Sequence, residues 1–224
     1  MSSSSNTLPA PEAQARQTLV QHYQELFANG LCRGTSGNVS VRYGAGFLIT
    51  PSGVPSETVS PENLVYLPLD CAPPFEQNPG PSSEWRFHRD ILRHRPEVNA
   101  VVHIHAPHVT ALAINRQAIP AVHYMIALFG GDSVRCAPYA LFGTQDLSDN
   151  IMHALAARSA CLLANHGAIT TGKDLAKAVN LAYELELLAQ QYILALQAGT
   201  PVHLSEQEIT EALRAFKTYG SNQS

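Results

Sequence analysis

The run Ala100-Val101-Val102-His103-Ile104-His105 leaves this chain the least freedom. Its β-branched, apolar character predicts a strand, and a strand needs a sheet around it. Two histidines interrupt the run at positions i and i+2, which point to the same face of a strand. Two imidazoles therefore project together from an otherwise apolar surface. Zinc takes imidazole nitrogen readily, and a catalytic zinc site usually has three protein ligands and one open position. His166, in Asn165-His166-Gly167 at the end of another apolar run (Ala160 to Asn165), can supply the third. The glycine after it lets the backbone come close. An HxH pair alone is common, and a lone buried histidine is more often a hydrogen-bonded core residue. On that ground His22, His88, His94, His108, His123, His153 and His203 are read as hydrogen-bonded core histidines. Glu84 adds weight to the trio, although alone it reads as a dipole-stabilising acid in the first turn of a helix.

The rest of the chain supplies both helices and strands. Helices are expected at about Ala13 to Asn29, Ser82 to Arg95, Pro107 to Ile114, Leu147 to Ala157, Leu175 to Ala198 and Ser205 to Phe216. Val39 to Tyr43 and Phe47 to Thr50 alternate like a hairpin, and Asn63 to Leu69 reads as a third strand. Cys136 to Tyr139 is a short strand or turn. Ser82-Ser83 are expected to cap their helix, with Trp85, His88, Ile91 and Leu92 inside and Arg86, Arg89, Asp90 and Arg93 facing water. Leu181, Leu185, Leu188, Tyr192 and Leu196 mark the packed face of the longest helix. Ser205 and Glu208 are spaced as a capping box. No regular βαβ repeat emerges, which favours a mixed α/β sandwich over a barrel. Residues 1–12, rich in Ser, Pro and Ala, are expected to be a disordered lead-in, and residues 13–224 a single domain.

A second constellation has neutral character. Gly37-Asn38, Ser52-Gly53 and Ser82-Ser83 each offer small residues, free backbone N–H groups and uncharged donors. Taken singly they are turns and caps. Jointly they read as a phosphate pocket beside a metal, because the first N–H groups of a helix have no internal partner and accept an anion without lysine.

Charge and cysteine content narrow the field. The formal net charge is −4, and arginines are scattered, so neither nucleic acid nor a membrane surface is expected as a partner. No apolar run approaches a membrane span. The N-terminus lacks the basic and apolar regions of a signal peptide. Cys32, Cys71, Cys136 and Cys161 stand far apart with no CxxC, which argues against a disulfide framework or a cysteine zinc site. A reducing cytoplasm is the expected compartment.

Five motifs, in this order, resemble the class II aldolase/adducin family: Gly34-Thr35-Ser36-Gly37-Asn38-Val39-Ser40, Ile49-Thr50-Pro51-Ser52-Gly53, Pro81-Ser82-Ser83-Glu84, His103-Ile104-His105 and Asn165-His166-Gly167. The resemblance runs from about Ala13 to Tyr219. It implies a three-layer α/β/α sandwich with a mixed, mostly antiparallel central sheet. It also implies a homotetramer with active sites at subunit interfaces and a mobile tail from about residue 217. One zinc ion per subunit would be held by His103, His105 and His166, with Glu84 as the ligand that swings off. Gly37, Asn38, Ser52, Gly53, Ser82 and Ser83 would bind the phosphate of a sugar-phosphate substrate. Tyr124, from a neighbouring subunit, and Tyr219 would act near the aldehyde, with Phe129 close by.

The implied reaction is cleavage of a ketose 1-phosphate to dihydroxyacetone phosphate and an aldehyde. It leaves a carbanion beside a carbonyl, which needs an electron sink. A lysine Schiff base is one route. The three lysines, Lys173, Lys177 and Lys217, lie outside the strand segments, so the Lewis-acid route is preferred. Glu84 would then shuttle the proton on dihydroxyacetone phosphate, and Tyr124 the proton on the aldehyde-derived hydroxyl. Alternatives on the same scaffold are a 3-oxo-tetronate 4-phosphate decarboxylase and a pentulose-phosphate 4-epimerase. A non-catalytic, adducin-like interaction module is the alternative of another class, and it has no need of three histidines and Glu84.

Overall fold

The computed structural model describes residues 10–218, the last two by their backbone alone. Helix α1 (Ala10–Ala28) starts ahead of the expected Ala13 and buries Leu19, Tyr23 and Leu26. Strands β1 (Asn38–Tyr43) and β2 (Gly46–Ile49) form the expected hairpin, and β3 (Val65–Pro68) follows. Helix α2 (Trp85–His94) leads into β4 (Ala100–Ile104) and α3 (Pro107–Ile114). The chain continues through β5 (Arg135–Ala137), α4 (Gln145–Ala154), β6 (Ala160–Leu163) and β7 (Gly167–Gly172), and ends in α5 (Leu175–Ala198) and α6 (Glu206–Thr218). Among the described residues no helix is long and apolar enough to cross a membrane.

The strands form one seven-stranded sheet in the order β3-β2-β1-β4-β7-β6-β5. Every neighbouring pair is antiparallel except β5 with β6. Alternation along each strand divides the interior in two. Val102, Ile104, Leu48 and Leu162 point to the side covered by α1, α3 and α5. Val101, Phe47, Ile49, Leu163 and Ile169 point to the side covered by α2 and α4. This is a three-layer α/β/α sandwich with a mixed, mostly antiparallel sheet. His103 shares the parity of Val101 and so faces α2, where the Phe87 ring lies edge-on at 5.7 Å.

Several local expectations are corrected. Strand β7 was not foreseen: glycines at its ends and two threonines blur the apolar signal of Gly167-Ala-Ile-Thr-Thr-Gly172, yet all six residues are buried between β4 and β6. His166 consequently lies in the turn joining β6 to β7, where Asn165 has a φ of 56°. Asp90 does not face water. Its Oδ2 accepts hydrogen bonds from Ser148 Oγ at 2.6 Å and Gln145 Nε2 at 2.7 Å, which ties α2 to α4. Leu196 is exposed, because the last turns of α5 run beyond the packed layer. Ser82-Ser83 do not cap α2. Glu84 occupies the N-cap position, without a side-chain capping bond, and lies just before the first turn rather than in it. The capping box at α6 forms as expected, with Glu208 Oε2 accepting from Ser205 N at 2.7 Å.

Candidate active site

The site lies at one end of β1 and β4. Asn38 pairs in register with His103, and His103 with Ile169 on β7, so three central strands fix the backbone beneath it. His105 follows β4, its N–H donating to Leu31 O at 3.1 Å. His103, His105 and His166 converge, with one candidate ligand atom from each lying within 4.8 Å of the others. The Nε2 atoms of His103 and His105 are 2.8 Å apart. His103 donates Nδ1–H to Ala168 O at 3.0 Å, which leaves its Nε2 lone pair aimed at the cluster.

Glu84 closes the group. Its Oε2 lies 3.2 Å from His103 Nε2 and accepts from Asn38 Nδ2 at 3.0 Å. Its Oε1 is 3.4 Å from His166 Nε2 and is buried with no hydrogen-bond partner among the described residues. A buried carboxylate oxygen without a partner is costly. Lone pairs of three imidazoles gathered beside it have the same need, and a divalent cation satisfies both. Three nitrogens and one carboxylate make a donor set suited to zinc.

The electrostatics agree with that donor set. Burial pushes His105 down to about 3, lowered further by His103 and His166, and His166 down to about 4, lowered further by His103, so both imidazoles are neutral at neutral pH, the form that can bind a metal. For Glu84, burial acts upward, but His103 first, then His166 and Asn38, outweigh it and hold the carboxyl well below its usual range.

Beside this cluster lies a cavity of about 500 Å³. Gly37, Asn38, Ser52, Gly53, Ser82 and Ser83 all line it, together with Glu84, His105 and His166. Two short backbone links zip the serine segments together: Ser52 N donates to Gly80 O at 2.9 Å, and Ser82 N to Thr50 O at 3.0 Å. Gly37 is needed where it stands. Its φ is +84°, and a Cβ there would lie 2.4 Å from Cys32 Sγ and 3.0 Å from His103 O.

Tyr124 is not brought to this cavity. It sits on a 3-10 turn (Tyr124–Phe129), 54% exposed, stacked on Phe216 at 6.0 Å. Tyr219 lies outside the described residues. Phe129 is a fully buried core residue and does not line the cavity. Three lining residues were not foreseen: Tyr139, Ala140 and Phe142, from the loop before α4. Two of them are aromatic residues on a connecting segment, which is the only sequence signal they give, and both are exposed. His88 was read as an ordinary core histidine. Its spacing of four residues from Glu84, about one helical turn, is the signal that could have found it.

The chain belongs to the class II aldolase and adducin family: residues 17–193 match the family described as Class II Aldolase and Adducin N-terminal domain. Within it this chain is an enzyme, a lyase of the class II aldolase type. It is 49% identical over 207 residues to an L-fuculose phosphate aldolase of Escherichia coli, covering 92% of this chain and 95% of that one. It is 46% identical over 215 residues to a 5-methylthioribulose-1-phosphate/5-deoxyribulose-1-phosphate aldolase of Rhodospirillum rubrum, covering 96% of each. A solved L-fuculose 1-phosphate aldolase superposes with a TM-score of 0.86 at 34% identity, covering 95% of this chain and 99% of the other.

Proposed function

We propose that the chain is a zinc-dependent aldolase that reversibly cleaves a ketose 1-phosphate to dihydroxyacetone phosphate and an aldehyde. L-Fuculose 1-phosphate is the foremost substrate, with L-lactaldehyde as its aldehyde product. One observation carries the reading. Among the described residues, three imidazoles and a partnerless buried carboxylate oxygen converge beside a cavity lined by neutral donors and no lysine. His103, His105 and His166 hold the cation, with Glu84 as the fourth ligand. When bound, the cation supplies a Lewis acid for the negative charge that develops beside the substrate carbonyl.

The chain's own residues do the rest. Ser82 and Ser83 receive the phosphate through N–H and hydroxyl groups, and Gly37, Asn38, Ser52 and Gly53 complete the cradle. Glu84 takes and returns the proton on the dihydroxyacetone phosphate carbon. Tyr124 of a neighbouring subunit, with Tyr219, handles the proton on the aldehyde-derived hydroxyl. The exposure of Tyr124 and its absence from the cavity lining of its own chain support a role across a subunit boundary. That role calls for an oligomer with active sites at its interfaces, which the family resemblance makes a homotetramer. Four free cysteines are compatible with the cytoplasm.

A second substrate reading, 5-methylthioribulose or 5-deoxyribulose 1-phosphate, is favoured by the 46% identical relative. The same phosphate-bearing fragment is released, and only the aldehyde differs. Tyr139, Ala140 and Phe142 give the cavity an apolar wall that suits a methyl or a methylthio substituent. A coupled assay of dihydroxyacetone phosphate release across these ketose 1-phosphates decides between them, and release from none of them would sink the reading. The role of Glu84 is tested by exchange of a carbon-bound proton of dihydroxyacetone phosphate with deuterated water, without aldehyde. Glu84→Gln should slow exchange by about 10²–10⁴-fold. Normal exchange by a zinc-loaded Glu84→Gln enzyme would move the base role to another group.

A further inference from the structure

Beneath the cavity lies a titratable group that none of these steps uses. His88, on α2, has no solvent exposure. Its Nε2 lies 2.5 Å from Asn38 Oδ1 and its Nδ1 2.7 Å from Ser40 Oγ. Asn38 continues the line, its Nδ2 donating to Glu84 Oε2 at 3.0 Å. Ser40, His88, Asn38 and Glu84 therefore form one buried file of hydrogen bonds ending on the carboxylate.

A neutral His88 satisfies every link with one arrangement of protons. The carboxylate only accepts, so Asn38 must turn its amide nitrogen to Glu84 and its oxygen to His88. His88 must then carry its proton on Nε2 and accept from the Ser40 hydroxyl at Nδ1. The opposite tautomer would have His88 Nε2 accepting, turn the Asn38 nitrogen toward it, and set the amide oxygen against the carboxylate. Burial helps to keep the ring neutral, pushing His88 down to about 3. The Phe87 ring stacks on it at 4.6 Å and holds its plane.

The result is asymmetric. Glu84 Oε2 is held by Asn38 and lies 3.2 Å from His103 Nε2, while Oε1, 3.4 Å from His166 Nε2, is buried with no hydrogen-bond partner among the described residues. We propose that His88 is a positioning residue for the reaction: acting through Asn38, it pins Glu84 Oε2 and leaves Oε1 as the oxygen that meets the cation and carries the proton. This rests on the role of Glu84 proposed above. A core histidine that only fills space would have no such directional dependence.

The test uses the full-length, zinc-loaded chain and deuterium exchange into saturating dihydroxyacetone phosphate. His88→Phe keeps a ring and removes both hydrogen bonds. It should slow exchange by about 10–100-fold, the usual loss when a supporting hydrogen bond to a metal-site residue is removed, with little change in KM or zinc content. His88→Gln, which can still donate to Asn38, should recover most of the rate. In an Asn38→Ala background, His88→Phe should cost nothing further, because the two act in series. The proposal is overturned if His88→Phe exchanges at the wild-type rate while Glu84→Gln does not exchange. It is equally overturned if the loss is the same with and without Asn38. Should His88→Phe fail to fold, His88→Asn takes its place: Asn can accept from Ser40 but is too short to donate to Asn38, and equal rates for the Asn and Gln variants overturn the proposal. Retained exchange in Glu84→Gln fells the base reading and this one with it, so the two failures are distinguishable.

Discussion

Gly37→Ala isolates how tightly the loop before β1 is built against the histidine strand. At a φ of +84°, an L-residue pays a left-handed backbone penalty of about 1–2 kcal/mol. The new methyl would also stand 2.4 Å from Cys32 Sγ and 3.0 Å from His103 O. Relieving such overpacking costs about 1–3 kcal/mol, while the stiffer unfolded chain returns about 0.4–1 kcal/mol. The net expectation is a loss of about 2–4 kcal/mol, a large part of the stability of an ordinary domain. Gly44 is the control: its φ is +54° and a Cβ there meets nothing within 4 Å, so Gly44→Ala bears only the backbone penalty. Cys32→Ala removes the closest clash but opens a cavity of its own, so the quantity to read is the coupling in the Gly37/Cys32 double-mutant cycle. It should favour the double variant by about 1–2 kcal/mol. Urea unfolding with equal m-values supplies the free energies. If Gly37→Ala costs no more than Gly44→Ala, or if the cycle is additive, the close-contact argument is wrong.

Three further outcomes are expected. Chelation should abolish dihydroxyacetone phosphate release and zinc should restore it at one ion per chain, measured by metal analysis; a fully active metal-free preparation would contradict the mechanism. If Ser83 receives the substrate phosphate as proposed, Ser83→Asp sets a like charge against it and should raise KM sharply; equal inhibition of variant and wild type by inorganic phosphate would remove Ser83 from the proposed phosphate site. Acid stability should depend on His88, which is pushed down to about 3 in the folded chain against an ordinary value of 6.5. Below pH 6.5 the unfolded chain takes up a proton that the folded chain refuses, so stability falls as pH drops from about 6.5 toward 3, by up to ~1.4 kcal/mol per pH unit from this group. His88→Gln should show a shallower fall over that window in pH-dependent urea unfolding, and parallel curves would refute the assignment.

Much of this architecture was legible because the strands that matter announce themselves. The Ala100–Ile104 run is apolar on both faces apart from one histidine, and its burial in the centre of the sheet follows from that pattern. The helix Pro107–Ile114 begins on proline and was read to the residue. Strand β7 escaped because threonine and glycine carry no apolar signal, although a central position buries them all the same. Asp90 escaped because its partners, Ser148 and Gln145, arrive from far along the chain, and a helical wheel cannot show what will be laid over it. For the site, motif residues separated by more than a hundred positions do share one cavity, from Gly37 to His166. The loop Tyr139–Phe142 could not be assigned in advance, since exposed aromatics on a connection mark no particular neighbour.

The parity of β4 has a consequence for anyone preparing the protein. Its alternation places His103 on the α2 side and Val102 and Ile104 on the α5 side. A strand that paired one residue out of step would exchange these sets. It would turn an imidazole into the aliphatic layer and present Val102 and Ile104, which have no lone pair to offer, toward Glu84. Such a molecule could be compact and rich in secondary structure, yet would lack the nitrogen cluster. If the cluster takes up zinc as proposed, stoichiometric zinc in a purified batch would serve as a gauge of correct strand pairing, reporting misregistered chains that circular dichroism would pass.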